Sequence, residues 1–323
     1  MAANNEILKY EPNIAGNITT GILYAILGLL FSYYIVRHKT NWALCLPIGA
    51  FASSLGFFLR LGMHPHDLLL PLFVAQNILI IATPCAFLAF NYMLYGRLVT
   101  AIDPQFSSNK SGLRMEKSRY SFIPPRIVGR TFVISDIATF LIQVAAGSMV
   151  GNAKNNRSIA DIGDKLFLVG VCAQGISYSL FTILLSDTLL RLVAEARKAG
   201  RSHPGKSWMG LDQNVAITIG GLYFSSVFII IRSVYRIIEF VQGHDGYLIS
   251  NEVFMFVLDA VPLVLAIGVW AIFWPTVLID RIAAQAQEEA QMHSMEADNA
   301  QLSGADSNRQ DPRNKSDQGL INA

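Results

Sequence analysis

Apolar residues in this chain gather in seven runs, near 17–36, 42–62, 70–96, 129–150, 164–188, 214–238 and 252–278. Each is close to the ~20 residues that a helix needs to cross the hydrocarbon core of a bilayer. Stretches such as Ile78–Ile81 and Phe228–Ile231 are apolar on every side. A membrane strand would instead alternate strictly over about 10 residues. The pattern therefore predicts an all-α integral membrane bundle of seven transmembrane helices over 17–279, with a short segment 1–16 before it and a polar tail 280–323 after it. The tail is rich in Gln, Glu, Asp, Asn and Ser and has too little apolar surface to fold, so it is expected to be largely disordered, above all over Met295–Ala323. The connection Thr100–Arg126, with Pro124 and Pro125, is expected to be only partly ordered.

Composition agrees with lipid as the solvent. Of 323 residues, 52% are apolar and 15% charged, against roughly 25% charged in a soluble domain, and the mean hydropathy is +0.40. This excludes an ordinary soluble enzyme. The net charge of +2 leaves no basic excess of the kind a nucleic-acid binder carries, so no nucleic-acid partner is expected.

Charge matters here by location. Lys and Arg collect in alternate connections: Arg37 and Lys39 in the first, Arg97, Lys110, Arg114, Lys117, Arg119 and Arg126 in the third, and Arg191, Arg197, Lys198, Arg201 and Lys206 in the fifth. The opposite set carries only Lys9, Lys154 and Arg157. Basic residues favour the cytosolic side, which predicts an exterior N-terminus and a cytosolic C-terminus. On that scheme Asn156 of Asn156-Arg157-Ser158 is the candidate glycosylation site, Asn17 is too near the bilayer, and Asn109 is hidden in the cytosol. Met1–Thr20 has no basic start followed by a short apolar core, so the first span is expected to remain as an anchor. Cys45, Cys85 and Cys172 all lie in apolar runs, where packing is their expected role.

Several chemistries lose their footing on inspection. Gly200–Ser207 fits the phosphate-loop spacing G-x-x-x-x-G-K-[ST], but the mechanism needs a preceding strand and a nucleotide-binding domain, and a connection of some 25 residues has room for neither. His64 and His66, beside Asp67, have no further ligand motif to complete a metal site, and interface positions suit them better. No G-x-S-x-G elbow occurs. The seventh run has no lysine for a retinal Schiff base, and the third ends Asn91-Tyr92-Met93-Leu94-Tyr95-Gly96-Arg97, without the acid-Arg-Tyr switch of G-protein-coupled receptors. No cofactor is implied, and no catalytic constellation argues for an enzyme.

What stands out is polarity kept inside the apolar runs, where each ionisable group costs about 2.5–3.5 kcal/mol on insertion scales. Arg232, Arg236 and Glu239 are spaced i, i+4, i+7 on one helical face, and Glu252 and Asp259 lie seven apart on another. A hairpin of about 13 residues joins the two runs, so both faces can meet in the exterior half. The expectation is one hydrated recess of two cations and three anions, either a structural salt-bridge network, a groove for an amphiphile's headgroup, or both. The fourth run adds Asp136, Thr139 and Gln143 on one face, with Gly147 and Gly151 expected to admit a close neighbouring helix. Gln174 of the fifth run and Gln76, Asn77 and Asn91 of the third are candidates for helix-helix hydrogen bonding. Pro84 and Pro262 are expected to kink the third and seventh helices.

These residues carry a resemblance. Ala82-Thr83-Pro84-Cys85-Ala86-Phe87-Leu88-Ala89-Phe90-Asn91-Tyr92-Met93 with Gly96-Arg97, Phe132-Val133-Ile134-Ser135-Asp136 to Gln143 and Gly147, and above all Ile231-Arg232-Ser233-Val234-Tyr235-Arg236-Ile237-Ile238-Glu239-Phe240 with Gly243, Gly246, Glu252 and Asp259 resemble the fungal lipid-translocating exporter family, the RTA-like proteins. The likeness covers about residues 10–279. It implies a seven-helix, multi-pass plasma-membrane protein of fungi that exports amphiphilic lipids such as sphingoid long-chain bases and contributes to resistance against toxic amphiphiles. The alternative is a heptahelical lipid-stress sensor without transport. The implied partners are an amphiphilic lipid ligand and membrane lipids, and the substrate-binding candidates are Asp136, Gln143, Arg232, Arg236, Glu239, Glu252 and Asp259. One departure is visible: Trp274-Pro275 stands where the family tends to have His-Pro.

Overall fold

In a computed structural model of the chain, the described residues are 13–62, 70–103, 124–152, 157–198, 211–242, 248, 251–288, 291, 292 and 295. Among the described residues, seven helices are long and apolar enough to cross a membrane. They are α1 (Ile14–His38), α2 (Cys45–Arg60), α3 (Leu70–Ile102), α4 (Pro125–Asn152), α5 (Arg157–Lys198), α6 (Gln213–Gln242) and α7 (Glu252–Ile272). An amphipathic helix, α8, follows over residues 275–288. The protein is a multi-pass membrane protein of all-α fold. The expected disordered tail from residue 296 onward, Asn156, Asn109, His64, His66 and the Gly200–Ser207 loop lie outside the described residues.

Local chemistry sets the helix ends. Asn13 caps α1 by accepting from the Gly16 amide at 3.0 Å, and Lys39 closes it in the left-handed conformation, φ 52°. Pro125 opens α4, where a missing N–H costs nothing. At 42 residues α5 outreaches a bilayer core of about 30 Å. Its last turns are rich in the helix formers Leu, Ala, Arg and Glu, and Arg191 pairs with Asp187 at 2.8 Å.

Successive helices pack side by side, and α7 closes the ring against α1. α3 runs through the middle, burying Phe87, Phe90, Tyr92, Leu94 and Tyr95. The bundle is inverted relative to a soluble one: Leu29, Ile134, Ile176, Val227 and Ile272 are open on the rim, whereas Asn17, Gln76, Asn91, Asp136, Gln143, Gln174, Arg232 and Asp259 are buried. Lipid solvates the first set and cannot solvate the second.

Three expectations need correction. The seventh run does not continue to 278. α7 ends at Ile272, Phe273 turns out of helical geometry (φ −110°, ψ 84°), and Pro275 starts α8, because proline cannot continue the ladder but suits a first turn. Thus residues 280–288, assigned to a polar tail, are helical, with Ile282 buried. The close approach of α4 and α5 does not use Gly147, where an added Cβ would meet nothing within 4 Å. It uses Gly163 and Gly170 of α5, whose added Cβ atoms would lie 2.7 Å from Val150 Cγ2 and 2.8 Å from Gln143 Cγ. α7 also contains a π-turn, Phe256–Ala260, which ends two residues before Pro262. The wider turn makes room for a ring that would clash with the carbonyl four residues back.

Gly163→Ala should lower stability by about 1–3 kcal/mol, since Ala146 O also lies 3.0 Å from the new methyl and is backbone. Gly147→Ala should be neutral or slightly stabilising. Thermal unfolding of the two variants in the same detergent checks the contrast.

Candidate functional site

The α6 and α7 faces do meet, around Asp259. Arg236 grips it with two nitrogens, Nη2 at 2.5 Å from Oδ2 and Nε at 3.1 Å from Oδ1. Arg232 Nε lies 2.7 Å from Oδ1 with its N–H off the contact line, so this is an ion pair and not an aligned hydrogen bond. Glu239 holds the outer side of Arg236, Nη1 to Oε2 at 3.1 Å, and accepts from Tyr235 OH at 3.2 Å. Two cations face two anions, and the cluster is neutral. Each member is costly to bury alone and tolerable in company.

Glu252 does not join them. It pairs with Arg60 Nε at 3.3 Å and accepts from the Asn13 amide at 2.6 Å and Asn17 Nδ2 at 3.1 Å. The i, i+7 spacing puts Glu252 and Asp259 on one face only if one continuous α-helix joins them. The π-turn places an extra residue in that stretch and rotates the two carboxylates apart. Glu252 therefore fastens the start of α1, the end of α2 and the start of α7. Arg60 is not among the candidates drawn from the sequence, although an arginine in the last turn of α2, beside a connection with no Lys or Arg, is a usable signal.

Arg232 and Arg236 line a recess of about 20 Å³ with Gln143 and Gln174, walled by Ile81, Pro84, Phe167, Val171 and Ser233. This is room for about one water. Gln143 Nε2 donates to Gln174 Oε1 at 3.0 Å, and Gln174 Nε2 contacts Cys85 Sγ at 3.3 Å. Of the predicted residues, Gln143, Arg232 and Arg236 thus share one hollow, with Asp259 and Glu239 bound to its arginines.

Asp136 stands apart from that hollow. Its Oδ2 accepts from Tyr92 OH at 2.9 Å, and its backbone oxygen lies 4.0 Å from Cys85 Sγ. Nearby, Asn91 Nδ2 reaches Tyr178 OH and Ser225 Oγ, both at 2.9 Å, which joins α3, α5 and α6. Tyr92, Tyr178 and Ser225 were not singled out from sequence, because a hydroxyl on an apolar helix gives no sign of its partner. The candidate acceptor Asn156 lies outside the described residues. Among the described residues there is no group of His, Cys, Asp and Glu that could hold a metal ion, and the three cysteines are free.

Residues 46–282 match the family described as RTA1 like protein, and the chain belongs to it. It is 25% identical to Protein RTA1 of Saccharomyces cerevisiae over 88% of this chain and 90% of that protein. It is likewise 25% identical to the sphingoid long-chain base transporter RSB1 of the same yeast, over 85% of this chain and 75% of that protein. Protoporphyrin uptake protein 1, also from S. cerevisiae, is 27% identical over 60% of this chain and 56% of that protein. No solved structure matches.

Removing one partner of the Arg60–Glu252 pair leaves a buried charge uncompensated. Arg60→Leu should therefore cost about 3–5 kcal/mol, and Arg60→Leu with Glu252→Leu should recover much of the loss. Unfolding midpoints of the single and double variants check this.

Proposed function

We propose that this chain is a plasma-membrane translocator of amphiphilic lipids of the sphingoid long-chain-base type, with its N-terminus outside and its C-terminus in the cytosol. The observation that carries the reading is the recess in the bundle interior: a floor of Arg232, Arg236, Gln143 and Gln174 beside apolar walls of Ile81, Phe167 and Val171. That combination suits a polar headgroup on an apolar chain. Kinship with a protein named as a sphingoid long-chain base transporter supports it.

The parts divide the work. Asp259 holds both guanidinium groups in place, so their remaining N–H donors can take the hydroxyl oxygens of a long-chain base, while the amide oxygens of Gln143 and Gln174 can accept from its ammonium. The recess as it stands fits about one water, so a headgroup enters by displacing that volume and parting the Gln143–Gln174 hydrogen bond. The apolar walls then receive the first carbons of the chain.

Purified protein in liposomes should speed the movement of a fluorescent long-chain base between leaflets. Arg236→Lys keeps the charge but loses the two-nitrogen grip on Asp259, and should slow this movement about tenfold. Unchanged movement in the liposomes, with or without the protein, would contradict translocation. Tight binding without movement would instead identify a lipid sensor.

A further inference from the structure

The carboxylates inside the bundle are not equivalent. Asp259 has two arginines and Glu252 has Arg60. Asp136 is only 2% exposed, and no Lys, Arg or His among the described residues forms an ion pair with it. Its neighbours come from the two helices that pack on α4. α3 supplies Tyr92 and Cys85, and α5 supplies Ser177, with Tyr178 close by. On α4 itself Thr139 donates to the backbone oxygen of Asp136, and the nearest basic residue, Arg130, is exposed six positions away.

The two oxygens of the carboxyl differ as well. Oδ2 accepts from Tyr92, whereas Oδ1 is buried with no aligned donor, the Ser177 hydroxyl being the polar group beside the carboxyl. The O–H of a protonated carboxyl is itself a donor and needs an acceptor, which the Ser177 hydroxyl beside Asp136 can supply. An anion here would be an unpaired charge in hydrocarbon. We propose that Asp136 is a proton-binding site, neutral at rest with its hydrogen on Oδ1, and that it releases this proton when a cationic headgroup occupies the recess.

Geometry supplies the coupling. Gln143 lies seven residues along the same helix, about 10 Å away. At that distance in a protein interior, a positive charge beside Gln143 favours the ionised form of Asp136 by about tenfold. Contacts also link the two places, from the Asp136 backbone through Cys85 to Gln174 and Gln143. The exchange balances: one ammonium enters, one O–H bond breaks at Oδ1, and one proton leaves to water. The coupling half rests on the reading of the recess as a headgroup site, while the resting proton does not.

Infrared spectra of the protein in lipid nanodiscs read the proton directly. The expected result is a carboxylic-acid carbonyl band at neutral pH that is absent in Asp136→Asn and shifted in Asp136→Glu. Sphingosine should weaken the band and, for a tenfold shift, release up to about half a proton per bound lipid into unbuffered medium. If both variants keep the wild-type band, or the wild type has none, the proton site is overturned. If the band is present but unmoved by bound sphingosine, the coupling is overturned. Sphingosine that fails to bind at all, with the band intact, overturns the headgroup reading instead and leaves the proton site standing. Should Asp136→Asn fail to fold, the shift in Asp136→Glu decides the assignment.

Discussion

Asp259, held between Arg232 and Arg236, is the interaction on which the rest depends. No water reaches hydrocarbon to solvate a stray guanidinium, so the two arginines must be answered from within the protein, and α7 supplies the answer to α6. The pairing fixes how the last two helices meet and presents both arginines to the recess. The same rule, that interior polarity must be partnered, explains Glu252 with Arg60 and Asn91 with Tyr178 and Ser225.

The π-turn of α7 separates two tasks on one helix. Before it, Glu252 fastens α7 to α1 and α2; after it, Asp259 fastens α7 to α6. Tyr24 of α1 donates to the carbonyl of Ala260 at the end of the turn, 3.0 Å away. α7 therefore bridges the first and last parts of the chain and closes the ring.

Much of this was legible in the sequence. Seven apolar runs became seven helices, and the spacing of Arg232 and Arg236 identified the face that meets Asp259. The i, i+7 relation of Glu252 and Asp259 misled because helical periodicity assumes a uniform turn, and a single π-turn shifts the phase without a distinct residue signature. Gly147 misled for a related reason: a small residue permits close approach, but which helix supplies it depends on rotation about the axis, and here α5 does. Partners of buried hydroxyls, such as Tyr92 for Asp136, follow from packing alone.

On the proposed function, a lipid headgroup enters among α3, α4, α5 and α6 at the arginine recess. Cross-linking with a photoactivatable sphingosine in native-like bilayers, mapped by peptide mass spectrometry, tests it most directly. Adducts are expected at Ile81, Phe167, Val171 and Ser233, and excess unlabelled sphingosine should remove them. Adducts confined to the lipid-facing residues Ile134, Ile176 and Val227, indifferent to competitor, would contradict it.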